Sequence, residues 1–298
     1  MKRDSSRAPG RNRLAELLGR LAVDDNRSPS GLPGLYFFRI DRAIPRHPVS
    51  YDPSIVIVAQ GRKIGYLGDE TFVYDADNYL LLTVPLPFEC EVIAEPSAPY
   101  LALSVRIDAA VLAELLASAG GPGRPPELLS RCFSATPLTE DLEDAAVRLL
   151  RCLDDPVDAR VLGPEIMREM IFRVLRGPKG HLLQALAARN GRFFQVARAL
   201  DRIHADFSSE LDVDALADEA GMSVSAFHHA FKTVTATSPL QYLKSTRLLH
   251  ARLLMIQDGL NVGQAADRVG YESVSQFSRE FKRFFGNSPS VEASRPLR

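Results

Sequence analysis

Gly221-Met222-Ser223-Val224-Ser225-Ala226-Phe227, followed by Phe231-Lys232 and Ser238-Pro239, is a pattern that the chain contains twice. The second copy is Gly270-Tyr271-Glu272-Ser273-Val274-Ser275-Gln276-Phe277, followed by Phe281-Lys282 and Ser288-Pro289. The copies are fifty residues apart, with one additional residue after the second glycine. This repeat predicts that the C-terminal part of the chain builds the same structural unit twice.

Each copy has the features of a helix-turn-helix. A short alanine-rich amphipathic stretch precedes the glycine, at residues 216–220 in the first copy and 265–269 in the second. The glycine fits a tight turn, and helical periodicity follows it. A helix-turn-helix places its second helix in the major groove of DNA, so the repeat indicates two DNA-reading helices in one chain.

The segment between the copies predicts a single long helix. Ser238 can cap it, Pro239 suits its first position, and apolar residues continue to about Gln257, where Asp258-Gly259 ends it. At 1.5 Å per residue this helix is roughly 28 Å long, close to the ~34 Å turn of B-DNA that separates successive major-groove faces. One subunit is therefore expected to read two adjacent major grooves.

The residues from about Phe193 to Arg298 resemble the DNA-binding domain of AraC/XylS-type transcription regulators. The second copy carries the motif of that family as Ala265-Ala266, Val269-Gly270-Tyr271, Ser273, Ser275, Phe277, Ser278-Arg279, Phe281-Lys282, Gly286 and Ser288-Pro289. One departure is Ala236, which stands where the family usually has a left-handed glycine at the end of the first recognition helix. The resemblance implies an all-α domain over residues 191–298, with two helix-turn-helix motifs that bind double-stranded DNA.

Candidate DNA-binding residues lie on the outer faces of the two recognition helices. The resemblance matches base-contacting positions to Ser225, His228 and His229 in the first helix and to Ser275, Gln276, Ser278 and Arg279 in the second. Arg279 is the strongest candidate for direct readout, since a guanidinium can pair bidentately with guanine. Lys232 faces out from the first helix and is also an expected reader, whereas the cations expected at the DNA backbone are Lys244, Arg247, Lys282 and Arg283. Ser223 and Ser273 are expected to cap the two helices.

The formal net charge is only −1, so the charge of the whole chain gives no indication of DNA binding. Acidic residues crowd the segment before the first recognition helix, whereas basic residues lie on or between the reading elements. A domain with basic residues on one face and acidic residues on the opposite face is compatible with phosphate contact. We expect the non-specific affinity for DNA to be modest.

Residues 34–107 have the pattern of short β-strands rather than of helices. Runs rich in β-forming residues are separated by turn residues, and both Gly68-Asp69 and Gln60-Gly61-Arg62 predict tight hairpin connections. Many short strands without intervening helices favour a barrel or a sandwich. The run from Ile57 to Lys63 resembles the cupin-like N-terminal domain of one subgroup of these regulators, which implies a barrel that holds a small-molecule effector.

Aromatic residues of this region are candidates for an effector pocket, although aromatic residues at strand spacing also suit a plain core. The candidate pocket residues are Tyr66, Phe72, Tyr74, Tyr79, Phe88 and Cys90. A thiol that faces the lumen could sense an electrophile, but a buried cysteine that acts as a small hydrophobic residue is the alternative for Cys90. We expect neither cofactor nor metal, because His47, placed in a loop by Pro45 and Pro48, is the only histidine before Val161.

The N-terminal segment and the cysteines bear on localisation. Residues 1–33 are expected to form a disordered basic tail, up to Arg13, and then a short amphipathic helix that begins near Leu14. Cys90, Cys132 and Cys152 show no CxxC spacing, and the chain has neither a signal-peptide core nor an apolar run long enough to span a membrane. These features predict a cytoplasmic protein without membrane association.

Residues 108–190 are expected to be a helical linker. Helices are predicted at about Thr139 to Leu153 and about Gly163 to Arg176, each with an apolar stripe. The stripes can pack within their own domain or form an isologous homodimer interface, which the resemblance implies for many relatives.

The fold class expected from the whole sequence is α+β, with an N-terminal cupin-like β-barrel, a helical linker and a C-terminal all-α double helix-turn-helix domain. The function expected is a sequence-specific transcription regulator of the AraC type that responds to a small-molecule effector. RNA polymerase is a further partner if the protein is an activator. Two alternatives remain open: a regulator without an effector, and a cupin-type enzyme fused to a DNA-binding domain, for which the sequence lacks the metal ligands.

Overall fold

The computed structural model describes residues 9–22, 26–120, 131–187 and 191–294. The elements of the N-terminal part are α1 (Pro9–Leu21), β1 (Asn26–Pro29), β2 (Leu35–Ile40), β3 (Ile44–Tyr51), β4 (Ser54–Gln60), β5 (Arg62–Leu67), β6 (Glu70–Asp75), β7 (Asn78–Leu82), β8 (Leu86–Ile93), β9 (Tyr100–Arg106), α2 (Ala109–Ser118), β10 (Phe133–Pro137), α3 (Glu140–Cys152), α4 (Pro156–Arg176) and α5 (Gly180–Ala187).

The described residues of the C-terminal part form helices joined by short loops, with no strand. Its elements are α6 (Arg192–Asp206), α7 (Val213–Glu219), α8 (Val224–Thr235), α9 (Pro239–Gln257), α10 (Val262–Arg268), α11 (Val274–Phe285) and α12 (Pro289–Ala293). The recognition helices α8 and α11 and the long helix α9 between them lie where the repeat predicts them. The α+β fold class is therefore confirmed, with a sheet-rich N-terminal part and a helical C-terminal part. In the described ranges, no helix combines the length and the apolar character that crossing a membrane requires.

The described strands form two antiparallel sheets. Their orders are β1-β2-β9-β4-β7-β10 in the six-stranded sheet and β3-β8-β5-β6 in the four-stranded sheet. Gly68 turns β5 into β6 as a hairpin, as predicted. Gly61 does not close a hairpin, because β4 and β5 belong to different sheets and the chain crosses between the sheets at this residue. A Cβ on Gly61 would lie 2.8 Å from the Cα of Tyr100, and its φ of +78° also favours glycine.

Alternation along the central strands divides their side chains between two cores. On β4, Ile55 and Ile57 pack with α1, α3 and α4 on the outer face of the six-stranded sheet. Val56 and Val58 point to the other side, into a core between the two sheets. That inter-sheet core continues into the C-terminal part, where it includes Tyr242 of α9.

His47 was expected in a loop, and this prediction is wrong because the residue lies in β3. β3 is an edge strand of the four-stranded sheet, where proline is tolerated since its missing N–H removes no internal ladder bond. The flanking residues Pro45 and Pro48 therefore indicated an edge strand. β3 also faces α9 and α11, so this edge is covered by the C-terminal part.

The helices differ from the expected boundaries at two places. α1 begins at Pro9, so the disorder expected up to Arg13 is wrong for residues 9–13, and residues 1–8 lie outside the described part. α4 begins at Pro156, seven residues before the predicted start, because Asp155 caps it and Pro164 is accommodated within the helix. In addition, β10 pairs with β7, so a segment placed in the linker belongs to the six-stranded sheet.

Candidate nucleic-acid interface and effector cavity

The recognition helices α8 and α11 are built in the same way. Ser223 accepts a hydrogen bond from the amide of Ala226 at 3.3 Å, and Ser273 accepts one from the amide of Gln276 at 3.3 Å, so both serines are N-caps as predicted. Each helix ends at a left-handed residue, Ala236 with φ 61° and Gly286 with φ 78°. Ala236 thus adopts the left-handed conformation that Gly286 has at the equivalent position of the second unit, at a conformational cost of roughly 1 kcal/mol.

Buried phenylalanines fix which face of each recognition helix is exposed. Phe227 and Phe231 anchor α8, and Phe277 and Phe281 anchor α11. The opposite faces carry most of the candidate readers. Exposed on them are Ser225, His228, His229 and Lys232 of α8 and Ser275, Gln276, Arg279, Lys282 and Arg283 of α11, whereas Ser278 is half-buried.

Lys244 is half-buried and paired with a carboxylate. Its Nζ lies 3.1 Å from Oε1 of Glu280. Glu280 also accepts hydrogen bonds from the hydroxyl of Tyr271 at 2.8 Å and from Nε2 of Gln276 at 3.3 Å. Burial alone raises the pKa of Glu280, but these three partners outweigh it and lower the pKa. The ionised carboxylate therefore joins α11 to α9 through Lys244, whereas Gln276 lies one turn earlier on α11 itself.

Arg247 joins the two helix-turn-helix units from within. Its guanidinium donates to the main-chain oxygens of Phe207 at 2.6 Å, Ser209 at 2.8 Å and Gly270 at 3.1 Å. Burial lowers the pKa of this arginine. All three nitrogens of the side chain are engaged by carbonyls, so the expected phosphate contact of Arg247 does not fit this geometry.

The N-terminal part holds the C-terminal end of α8. Nη1 of Arg131 donates to the main-chain oxygens of Lys232 at 3.2 Å and Thr233 at 3.1 Å, while Nη2 pairs with Glu70. The amide of Cys132 donates to the oxygen of Val234 at 3.2 Å. The bonds to Thr233 and Val234 reach carbonyls of the last helical turn, which a helix end leaves without an intrahelical partner, and Lys232 also accepts from the amide of Ala236. We call Glu70, Arg131 and Cys132 the α8 latch. The sequence does not predict it, because Glu70 and the main-chain oxygens of α8 are far from Arg131 along the chain.

A second interdomain contact joins α9 to the strand-rich part. The hydroxyl of Tyr242 donates to the main-chain oxygen of Pro85 at 2.6 Å. Nε2 of His204 lies 2.8 Å from the same hydroxyl, and burial lowers the pKa of His204 to about 4. Because the tyrosine proton is used on Pro85, the neutral histidine donates from Nε2.

The six candidate pocket residues do not meet at one place. Tyr74, Phe88 and Cys90 belong to the inter-sheet core, and Phe72 packs against it. Tyr79 points to the opposite side of its sheet, into the helix-facing core. Tyr66 lies on the outside of the four-stranded sheet, where its hydroxyl donates to Glu91 at 2.9 Å and Arg46 stacks on its ring.

The thiol of Cys90 is buried, and burial raises its pKa. Its sulfur lies 3.7 Å from Nε2 of His47, whose own pKa burial lowers. A neutral imidazole gives little electrostatic support to a thiolate. This geometry fits the buried hydrophobic role better than the sensor role.

A cavity of about 60 Å³ opens beside these residues, between the six-stranded sheet and β3. It is lined by Arg27, Tyr36, Phe38, Ser50, Tyr51, Asp52, Ser54, Ser104 and Arg106. In the described part of the chain, no group of three or more histidine, cysteine, aspartate or glutamate residues is placed to hold a metal ion. The cavity offers aromatic walls, hydroxyls, two guanidinium groups and the carboxylate of Asp52.

Two family models match the chain. The model of the AraC-type transcriptional regulator N-terminus matches residues 31–182, and that of a helix-turn-helix domain matches residues 216–294. The regulator AlkR of Acinetobacter baylyi is 40% identical over 95 residues, which are 32% of this chain and 31% of AlkR. The transcriptional activator RhaS of Escherichia coli is 35% identical over 83 residues, 28% of this chain and 30% of RhaS. The chain thus matches about a third of the length of these curated relatives.

Among solved structures, the chain is similar to ToxT from Vibrio cholerae strain SCE256, in a form with unsaturated fatty acid bound. The TM-score is 0.55, the superposition covers 87% of this chain and 93% of ToxT, and the sequence identity is 13%. At this identity the likeness concerns the fold alone. The two proteins share an arrangement of a sheet-rich part followed by a helical part.

Proposed function

The chain belongs to the family of AraC-type transcriptional regulators, and we propose that it binds a specific double-stranded DNA site through both of its helix-turn-helix units. The observation that carries this proposal is the pair of exposed helix faces on α8 and α11, joined by the 19-residue helix α9. That helix is about 28 Å long, which suits two successive major grooves of one DNA face about 34 Å apart.

The candidate side chains divide into proposed base readers and proposed phosphate contacts. Ser225, His228 and His229 of α8 and Ser275, Gln276, Ser278 and Arg279 of α11 are the proposed readers. Lys232, Lys282 and Arg283 lie farther along the helices and suit phosphates. Lys244 and Arg247 support the DNA-binding face by fixing α9 and α11, since their donors are engaged with Glu280 and with main-chain oxygens.

The N-terminal domain is proposed to hold a small-molecule effector in the cavity between the sheets. ToxT, which has the same fold, has been solved with an unsaturated fatty acid bound, and this supports the proposal that the present chain also responds to a small molecule. The α8 latch is the proposed route from effector to DNA. It joins the hairpin of β5 and β6, through Glu70, directly to the end of a recognition helix.

A second copy of the chain is the proposed partner at α4. Val157 and Val161 on this helix are 55% and 58% exposed, and Leu162 and Phe172 are exposed beside them. Apolar side chains repeated on one helix favour an isologous contact between copies. Sedimentation should give a dimer for the wild type and a monomer for Val161→Glu. RNA polymerase is a further proposed partner if the protein activates transcription.

The function is tested by selecting sites from a pool of random duplexes with the full-length protein. Affinity for the selected site should fall steeply as salt rises, because each neutralised phosphate releases counterions. His228→Ala combined with Arg279→Ala should abolish selection, while Arg46→Ala, which removes only an exposed ion pair with Glu89, should leave it unchanged. Weak, salt-insensitive binding to every duplex would refute DNA recognition.

A further inference from the structure

A buried lysine stands in the inter-sheet core without a carboxylate. Lys63 is 4% exposed, and its Nζ donates to the hydroxyl of Tyr51 at 3.0 Å. The same ammonium lies 4.5 Å from the ring centre of Tyr100 and 5.3 Å from that of Phe38. Across the described ranges, no aspartate or glutamate forms an ion pair with it.

Burial of an unpaired ammonium is unfavourable unless nearby groups compensate it. The electron-rich faces of Tyr100, Phe38 and Tyr51 provide part of the compensation. The hydroxyl of Tyr100 is itself buried and has no hydrogen-bond partner among the described residues. A positive charge and an unused donor thus lie inside a domain that also has an open cavity.

The cavity and the lysine share two walls. Phe38 and Tyr51, whose rings pack against Lys63, both line the cavity. Two guanidinium groups line it as well, Arg27 and Arg106, against the single carboxylate of Asp52. Asp52 lies 4.0 Å from Arg27, so Arg106 is the guanidinium that no described carboxylate pairs with. The potential in the cavity is therefore positive.

We propose that this cavity binds a small monocarboxylate with an apolar body, held directly by Arg106. The apolar body packs on Phe38 and Tyr51, and Lys63 acts as a positioning residue that fixes the Tyr51 ring and adds positive potential from behind it. A volume of about 60 Å³ accommodates roughly four to six water molecules, which suits benzoate better than a long acyl chain. This inference rests on the proposed effector role of the domain and names the chemical class of its ligand.

Calorimetry on the full-length protein with benzoate and with benzamide tests the charge requirement. The two probes have nearly the same shape, but only benzoate carries a charge. Benzoate should bind at least about tenfold more tightly, as expected for a charge-assisted contact. Arg106→Gln should remove this preference and leave the weak binding of benzamide unchanged.

Lys63→Met, a substitution of similar length, tests the positioning role. It should lower the ratio of benzoate to benzamide affinity, whereas a purely structural defect would weaken both ligands equally. Arg46→Gln, on the outer face of the same sheet, is the control and should change neither affinity. If Lys63→Met does not fold, as judged by circular dichroism, Arg106→Gln still decides the outcome.

Three results would overturn the carboxylate proposal: equal affinity for the two probes, an unchanged preference in Arg106→Gln, or no binding of benzoate at millimolar concentration. Binding of the ligand-free protein to its selected duplex is measured in parallel. If the duplex still binds, only the ligand class is wrong; if it does not, the proposed function itself fails.

Discussion

Arg131 of the N-terminal domain donates from Nη1 to the main-chain oxygen of Thr233, at 3.1 Å, in the last turn of the first recognition helix. The same guanidinium is held by Glu70 at the start of β6. The hairpin turn at Gly68 also touches the left-handed corner of that helix, since a Cβ on Gly68 would lie 3.3 Å from the oxygen of Ala236. The sheet domain and the first DNA-reading helix are thus in direct contact.

Arg131→Ala is expected to loosen the end of α8 while the rest of the helix remains folded. Loss of these hydrogen bonds costs about 1–2 kcal/mol locally, which corresponds to roughly five- to thirtyfold faster exchange of the nearby amides. Hydrogen exchange of residues 233–237 measures this effect. The control is Arg46→Ala, which removes an exposed ion pair with Glu89 on the same sheet. Equal protection of the α8 end in both variants would contradict the latch.

Arg247→Ala should destabilise the protein rather than alter its salt dependence. The change removes a guanidinium from three main-chain oxygens, for an expected loss of about 2–4 kcal/mol in the free energy of unfolding. Denaturant titration measures that loss. Lys282→Ala is the matched control, since it is exposed and should leave stability within about 0.5 kcal/mol. A stable Arg247→Ala protein with a reduced salt slope would instead show that Arg247 contacts phosphate.

Arg279→Ala and Lys282→Ala should weaken DNA binding in different ways. Loss of a bidentate base contact costs about 1–3 kcal/mol on the selected site and relaxes discrimination at one base pair. Loss of a phosphate contact weakens all sequences similarly and lowers the salt slope by about one. Binding to single-base variants of the site separates the two roles. An unchanged specificity profile in Arg279→Ala means that this arginine does not read bases.

Acidification should weaken the fold through His204. Its pKa in the folded protein is about 4, below the ordinary 6.5, because burial disfavours the imidazolium. The unfolded chain therefore binds the proton more readily, so the stabilisation is complete above pH 6.5 and is lost as pH falls toward 4. His204→Gln should recover about 2 kcal/mol of the loss between pH 7 and pH 5. Parallel stability curves for variant and wild type over this range would rule out this linkage.

The helix-turn-helix domain could be predicted from the sequence because its signals are local. Ser223, Ser273 and Pro239 mark helix starts within their own segments. Because Ser223 and Ser273 occupy equivalent positions fifty residues apart, each predicted helix start supports the other. The start of α4 was missed because Pro164 resembles the first residue of a helix, although Asp155 caps the helix earlier.

The faces of the strands could not be predicted in the same way. Alternation relates the orientations of side chains only within one strand, whereas Tyr66 lies in β5 and Phe72 in β6. It also does not say which side of a strand meets the second sheet. None of the six candidate pocket residues, Tyr66, Phe72, Tyr74, Tyr79, Phe88 and Cys90, lines the cavity between the six-stranded sheet and β3. The contacts of Arg247 and Arg131 with main-chain oxygens could not be predicted from the sequence, since those oxygens belong to remote segments of the chain.

The spacing between the two reading helices tests the central claim most directly. Once the selected site is known, an insertion of about five base pairs between its two conserved blocks rotates one block by roughly half a turn. Because α9, with Arg247 and Lys244, fixes the separation of α8 and α11, affinity should fall by on the order of one hundredfold, toward the non-specific level. Unchanged affinity for the lengthened site would contradict recognition of two adjacent grooves by one subunit.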